Sequence, residues 1–372
     1  MKKYLLGLVL VITLSLGGCL PVDDEPVDTV GTTYTEEELL ELIEGLIPEA
    51  TVTSTYDIQG FEDAVTSMIE EARLGVIGIV NSSLAGSGTG SGVVYKKVDD
   101  TYYVVTNEHV VDGYTSLTVV YERNGLLFEI ADEDITLLGK DPITDLAVLT
   151  FESTETFSVI PLGDSYDLEL GQFVFAIGNP LGFDYYGTVT MGVISGLARY
   201  VQDNEEFDAT LLQHDAAISP GNSGGALLNL NGELIGINNM KIVEQDVSNI
   251  GFAIPSNTVK RITSDLEDDG QITRPYLGIV TTALVNQCGL DYGVCVEVQS
   301  GGAASNAGLE DFDVVIGYKN AGMDDFLEIN NFNDLKEAIL NSSVGETIQL
   351  KYIRDGIEYE SAETVLGTHP DD

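Results

Sequence analysis

The chain has 372 residues, 44% of them hydrophobic, enough to bury more than one core; at about 150 residues per domain, two or three units are expected. Its 61 acidic residues against 16 basic ones give a formal net charge of −45, which argues against nucleic acid as a partner and against adsorption onto an anionic lipid surface. Three cysteines and three histidines stand in no metal-ligand spacing, so neither a metal nor a cofactor is expected.

The start, Met1-Lys2-Lys3 followed by the apolar run Tyr4 to Leu16, has the basic and apolar regions of a signal peptide over residues 1–18, with an apolar stretch too short for a permanent membrane span. Leu16-Gly17-Gly18-Cys19 resembles a bacterial lipobox, in which the cysteine is diacylated and becomes the new N-terminus. An ordinary secretory signal with an incidental cysteine is the alternative. Acyl chains anchor by roughly 0.8 kcal/mol per buried CH₂. Removal of residues 1–18, which carry two lysines and no acid, takes the charge to −47. Residues 19–55 read as an acidic tether, with Pro21 and Pro26, that carries one short amphipathic helix. That helix opens at Thr35-Glu36-Glu37-Glu38, has Leu39, Leu42, Ile43 and Leu46 on one stripe, and stops at Pro48.

A second helical pattern runs from Ile58 to Arg73 and leads into strand-like Gly75 to Val80. Alternating and β-branched runs separated by Gly and Asn turns then continue to about Ile254, the pattern of a double β-barrel.

Three segments carry chemistry. His109 follows the β-rich run Tyr102-Tyr103-Val104-Val105-Thr106, which places a base titrating near neutral pH at a strand end. Asp145, in Asp141-Pro142-Ile143-Thr144-Asp145-Leu146-Ala147-Val148-Leu149, stands just before an apolar run, where a part-buried carboxylate can hold a histidine tautomer. Ser223 lies in Asp215-Ala216-Ala217-Ile218-Ser219-Pro220-Gly221-Asn222-Ser223-Gly224-Gly225. A serine attacks a carbonyl only when a base takes its proton and donors meet the oxyanion, and Gly221, lacking a Cβ, can turn its N–H toward the same point as that of Ser223. Each fragment alone is ordinary loop composition. Their order along the chain is that of a histidine, aspartate, serine triad.

With these motifs the sequence resembles the HtrA/DegP-type serine proteases of the trypsin-like clan over roughly residues 56 to 367. Further matching pieces are Gly86-Ser87-Gly88-Thr89-Gly90-Ser91-Gly92-Val93-Val94, Gly178-Asn179-Pro180 and Gly251-Phe252-Ala253-Ile254-Pro255. The resemblance implies a mainly β fold, a trypsin-like double six-stranded β-barrel over residues 56–268, followed by an α+β PDZ domain over 272–367. It implies Ser223 as nucleophile, His109 as general base, Asp145 as its orienter, and the N–H groups of Gly221 and Ser223 as the oxyanion hole. Ala217 and Ile218 fall where the clan builds its specificity pocket, with Ile237, Asn238 and Asn239 as another wall; no acid is present, so small aliphatic residues are expected before the cut. Tyr276-Leu277-Gly278-Ile279 resembles the loop of a PDZ domain that receives a peptide's terminal carboxylate, and strand addition is the mode implied.

Three positions depart from the family pattern. Glu108 replaces the usual Asn, Ala or Gly beside the base; His214 replaces the usual Thr and reads as structural; Phe312 replaces a Gly before Asp313 and puts that turn in question. Arg199, in Ile194-Ser195-Gly196-Leu197-Ala198-Arg199, corresponds to the segment leading into the family's activation-sensing loop and is a candidate switch contact or a surface ion pair. Cys288 and Cys295 are spaced for a hairpin disulfide or for two free thiols. The implied function is an ATP-independent endopeptidase acting on misfolded or exposed polypeptide outside the cytoplasm, lipid-anchored on the outer face of a bacterial cell membrane or secreted. Homotrimers and regulation by C-terminal peptides belong to the same expectation. Cleavage of one membrane-protein substrate in signalling, and a chaperone or peptide-binding scaffold, are the alternatives.

Overall fold

The computed structural model describes residues 57–84, 86–203, 207–239, 250–280, 288, 290 and 292–369. The expected signal peptide, Cys19 and the tether with its short helix lie outside these residues.

Helix α1 (Ile58–Ala72) forms where the sequence pattern places it. Val65, Met68, Ile69 and Ala72 fall at i, i+3, i+4 and i+7, and this stripe packs against the protein core. Seven antiparallel strands follow: β1 (Val76–Ser83), β2 (Gly86–Val98), β3 (Thr101–Thr106), β4 (Ser116–Arg123), β5 (Leu126–Ile130), β6 (Ile135–Asp141) and β7 (Leu146–Glu152). They pair in the order β5-β4-β1-β2-β3-β7-β6, so β5 adds a seventh strand outside β4 to the six expected. The short helix α2 (Glu108–Val111) leaves β3 at once.

Strand β7 explains how the two β units are joined. Leu146 through Phe151 are all buried, and alternation sends them to two different cores. Ala147, Leu149 and Phe151 meet Ile79, Tyr102 and Val104 inside the first unit, whereas Leu146 and Val148 meet Ile177, Leu228 and Ile254 of the second. Each fully buried Leu, Val or Phe contributes roughly 1.5–3 kcal/mol.

The second unit is a closed barrel of six strands, β8 (Phe173–Gly178), β9 (Thr188–Asp203), β10 (Phe207–His214), β11 (Ala226–Leu228), β12 (Leu234–Asn239) and β13 (Gly251–Pro255), ordered β10-β13-β12-β11-β8-β9. Helix α3 (Ser256–Asp268) buries Val259, Ile262, Thr263 and Leu266 against β6, β7 and β12. Gly139 permits this approach, since a Cβ there would lie 2.7 Å from Leu266.

The C-terminal module has its own core of Leu277, Val296, Ala304, Leu309, Val315, Tyr318, Leu335 and Leu350. Its elements are β14 (Pro275–Tyr276), β15 (Ile279–Val280), β16 (Val294–Cys295), β17 (Glu297–Val298), α4 (Ala303–Asn306), β18 (Val314–Asn320), β19 (Leu327–Glu328), α5 (Phe332–Leu340), β20 (Thr347–Arg354), β21 (Ile357–Glu360), β22 (Thr364–Val365) and β23 (Gly367–Thr368). Asn331 caps α5 by accepting from the N–H groups of Asn333 and Asp334. Cys288 and Cys295 form a disulfide with a Cα–Cα distance of 6.0 Å.

Candidate active site

His109 and Asp145 are brought together by the β3–α2 turn and the β6–β7 turn. Because β3 pairs with β7, Thr106 lies opposite Ala147 and the two turns share one end of the sheet. Asp145 is fully buried, with a left-handed φ of 57° that Asp tolerates better than most residues. Its Oδ2 lies 2.7 Å from His109 Nδ1, and its Oδ1 accepts the His109 backbone N–H at 2.9 Å. Asn239 Nδ2 donates to Oδ2 at 2.8 Å. The Asp145 carbonyl accepts from Asn107 Nδ2 at 2.9 Å and from Glu108 N at 3.1 Å. A carboxylate receiving the imidazole at Nδ1 leaves Nε2 as the proton-accepting nitrogen.

Ser223 is buried in a turn held from several sides. Its carbonyl accepts from Ser91 N at 2.8 Å, Gly224 N donates to Asn238 O at 3.0 Å, and Gly225 N donates to Asn222 O at 2.9 Å. Ser91 Oγ donates to Gly221 O at 2.8 Å and accepts from Asn179 N at 2.9 Å. Gly221 has φ 104°, and a Cβ there would sit 2.3 Å from Asn179 O, so no other residue fits. The Pro220 carbonyl accepts from Leu181 N at 2.7 Å. In a trans peptide this turns the Gly221 N–H to the opposite side, where it donates to no group among the described residues. A fixed N–H of this kind is what a developing oxyanion requires.

The remaining expected residues divide. Ala217 is exposed, its carbonyl accepting from Thr190 Oγ1 at 2.7 Å, and Ile218 packs partly buried beside Leu168 and Val174. Ile237, Asn238 and Asn239 are all 0% exposed and offer no side-chain surface to a substrate. Ile237 belongs to the core, Asn238 Nδ2 donates to Ala226 O at 2.8 Å, and Asn239 holds the aspartate. The wall assigned to these three is thereby corrected: β12 is a closed-barrel strand whose side chains point inward or to Asp145. Arg199 donates from Nε to Gln213 Oε1 at 2.9 Å across the β9–β10 ladder, a local contact on the barrel wall.

Glu108 is 6% exposed and is compensated by Lys140, whose Nζ donates to Oε1 at 2.7 Å and also contacts Asp112. His214 stands at the end of β10, fully buried, opposite Gly251 of β13. In the C-terminal module, Leu277 is a core residue, its carbonyl accepting from Ala304 N at 2.8 Å, and Gly278 has φ 78°, with Gly302 2.6 Å from where its Cβ would be. Strand β15 pairs with β17 on one edge only, among the described strands. Among the described residues no cluster of His, Cys, Asp or Glu could hold a metal. Sequence reading gave no role to Ser91, Leu181 or Arg274, whose partners are far away in the chain.

Residues 90–237 match the trypsin-like peptidase domain. The chain is 40% identical over 330 residues to the serine protease Do-like HtrA of Bacillus subtilis (strain 168), covering 79% of this chain and 71% of that protein. It is 37% identical over 292 residues to the Do-like HtrA of Lactobacillus helveticus, covering 74% and 68%. Among solved structures, the HtrA-type protease AlgW with tripeptide superposes with a TM-score of 0.62 at 30% identity, over 83% of this chain and 97% of that one. The serine endoprotease from Yersinia pestis gives 0.55 at 30% identity, over 82% and 97%.

Proposed function

Because the chain belongs to the HtrA-type serine proteases and is a serine endopeptidase, we propose that it cleaves misfolded or exposed polypeptide outside the cytoplasm, without ATP, in protein quality control. Ser223 Oγ attacks the scissile carbonyl as His109 Nε2 takes its proton, and the N–H groups of Gly221 and Ser223 receive the oxyanion. His109 then returns the proton to the leaving amine, and water hydrolyses the acyl-enzyme by the same route. Asp145 holds the imidazole in the required tautomer and stabilises its charged form. The observation that carries this reading is the buried Asp145 carboxylate, engaged at once by His109 Nδ1, His109 N and Asn239.

Ala217 and Ile218 offer apolar surface for a small aliphatic side chain before the cut. The test is incubation of wild type and Ser223→Ala with one protein in folded and unfolded forms, followed by mass spectrometry of the products. Wild type should cut the unfolded form after Val, Ala or Ile, and the variant should lose about 10⁶-fold in kcat, the scale of a triad serine. Ordinary activity in the pure variant would remove Ser223 from the mechanism, and termini ending in Lys or Arg would remove the pocket.

The C-terminal module is read as a PDZ domain that takes a peptide C-terminus by strand addition to β15, with Tyr276 to Ile279 receiving the carboxylate. The edge of β15 opposite β17, which pairs with no other described strand, supports this. Assembly as a homotrimer and attachment to the membrane through lipid on Cys19 complete the proposal. The lipobox-like Leu16 to Cys19 supports the anchor. Cells grown with labelled fatty acid should label wild type and not Cys19→Ser; equal labelling of both would exclude it.

A further inference from the structure

Asp145 stands at the end of a tight turn, and what fixes that turn comes from a distant part of the chain. Asp141 closes it. Its Oδ2 accepts from Thr144 Oγ1 at 2.6 Å and from Thr144 N at 3.3 Å, and its Oδ1 accepts from Ile143 N at 3.3 Å. The same Oδ1 accepts from Arg274 Nη2 at 2.6 Å, and the side chains of the pair are only 4% and 13% exposed. Arg261, on α3, adds a second cation within electrostatic reach of both. Arg274 is the residue that enters the C-terminal module. Its carbonyl accepts from His369 N at 2.9 Å, and Pro275, next in the chain, pairs with Thr368.

We propose that Arg274 is a positioning residue for catalysis, holding Asp141 and through it the turn that presents Asp145 to His109, so that a residue at the entry to the C-terminal module sets the geometry of the triad. The inference rests on the triad reading given above. The physical argument is one of charge and reach. The Arg274 guanidinium is a charged donor that fixes a carboxylate buried as deeply as Asp141, and so fixes the oxygens that accept from three donors of one turn. Without the Arg274 guanidinium, Oδ1 of Asp141 loses its direct cationic partner, and the carboxylate is free to turn toward Arg261 or toward water. Either change loosens Ile143 and Thr144, the residues directly before Asp145. The Asp145 carbonyl also receives Asn107 and Glu108, so movement of the turn is passed to both ends of the His109 contact. Catalytic geometry tolerates little of this, since displacements of about 1 Å cost up to about 100-fold in rate.

The test uses the full chain and a fluorogenic peptide substrate, with kcat, KM and the pH profile of kcat/KM measured for Arg274→Gln, Asp141→Asn, the double variant and Ser223→Ala. Near-UV circular dichroism checks each fold. Arg274→Gln should lower kcat about tenfold with KM within about twofold, the pattern of an interaction realised in the transition state. The acidic limb of its profile should move to lower pH, because a slackened Asp145 stabilises the imidazolium of His109 less. A merely structural loss of active molecules would leave that limb in place. The double variant should be no worse than Asp141→Asn, since Arg274 acts on the turn only through the Asp141 carboxylate. If Arg274→Gln does not fold, Arg274→Met, which fills the same space without the charge, carries the same expectations. A folded variant with wild-type kcat and an unmoved acidic limb overturns the proposal. Activity in Ser223→Ala is a separate failure, that of the triad reading itself.

Discussion

His214 shows at the scale of one residue how burial converts into pH dependence. Its ring has no exposed surface, and it lies so close to Gly251 that a Cβ there would meet Cε1 at 2.4 Å. Burial pushes the imidazole down to about 4, and the neighbouring Asp215 offsets only part of this. In the unfolded chain the same histidine titrates near 6.5. Below that pH the unfolded state binds a proton that the folded state refuses, so stability is complete above about pH 6.5 and declines as the pH falls toward about 4. The loss at pH 5 should be about 2 kcal/mol from this group. His214→Thr removes the titrating ring. Urea unfolding of both proteins at pH 7 and pH 5 should therefore show the wild type losing about 2 kcal/mol more than the variant on acidification. Parallel losses in the two would show that His214 is not the group responsible.

At the scale of elements, what could be read in the sequence was whatever local periodicity controls. Helix α1 and the strands were legible because their buried stripes recur at 3.6 or 2 residues, and the His109–Asp145 pair was legible because each member sits in a compositionally marked turn. Neither kind of signal reaches Asn239, taken from sequence as a pocket wall but placed by the barrel against Asp145, 94 positions away. Ser91 is similar: it holds Gly221 from 130 positions away, and nothing in its glycine-rich surroundings names that partner. The turn at Phe312 was open to question because a bulky residue stands where a glycine fits. The turn is kept, with Phe312 at φ 72° and 55% exposed. Its N–H donates to Val296 O at 2.8 Å, and the next residue, Asp313, is clamped by Arg354 at 2.7 and 2.8 Å. These bonds hold a conformation that costs a side chain with a Cβ about 1–2 kcal/mol. Phe312→Gly should relieve most of that, less the entropy a glycine adds to the unfolded chain, for a net gain of about 1 kcal/mol. The urea midpoint should rise. A lower midpoint would mean that the exposed ring contributes more than the strain removes.

For the whole molecule the governing quantity is charge. A net −45 on 372 residues surrounds the protease with a negative potential that no single contact reveals. The screening length is about 30 Å at 0.01 M salt and about 3 Å at 1 M, so the field reaches an approaching polypeptide in dilute buffer and is confined to the surface in concentrated salt. An unfolded substrate is long and exposes its charges, which makes it a better subject for steering than a compact one. A basic unfolded substrate should therefore be captured faster than an acidic one of equal length carrying the same apolar cleavage sequence. Near 0.01 M salt the ratio of their kcat/KM values should reach about tenfold or more, within the range over which steering changes association rates, and it should collapse toward unity by about 0.5 M. The cut positions should not move with salt, because the pocket proposed at Ala217 and Ile218 offers no charge to screen. A ratio that stays constant across the salt series would place the preference in specific contacts near Ser223 rather than in the field of the chain.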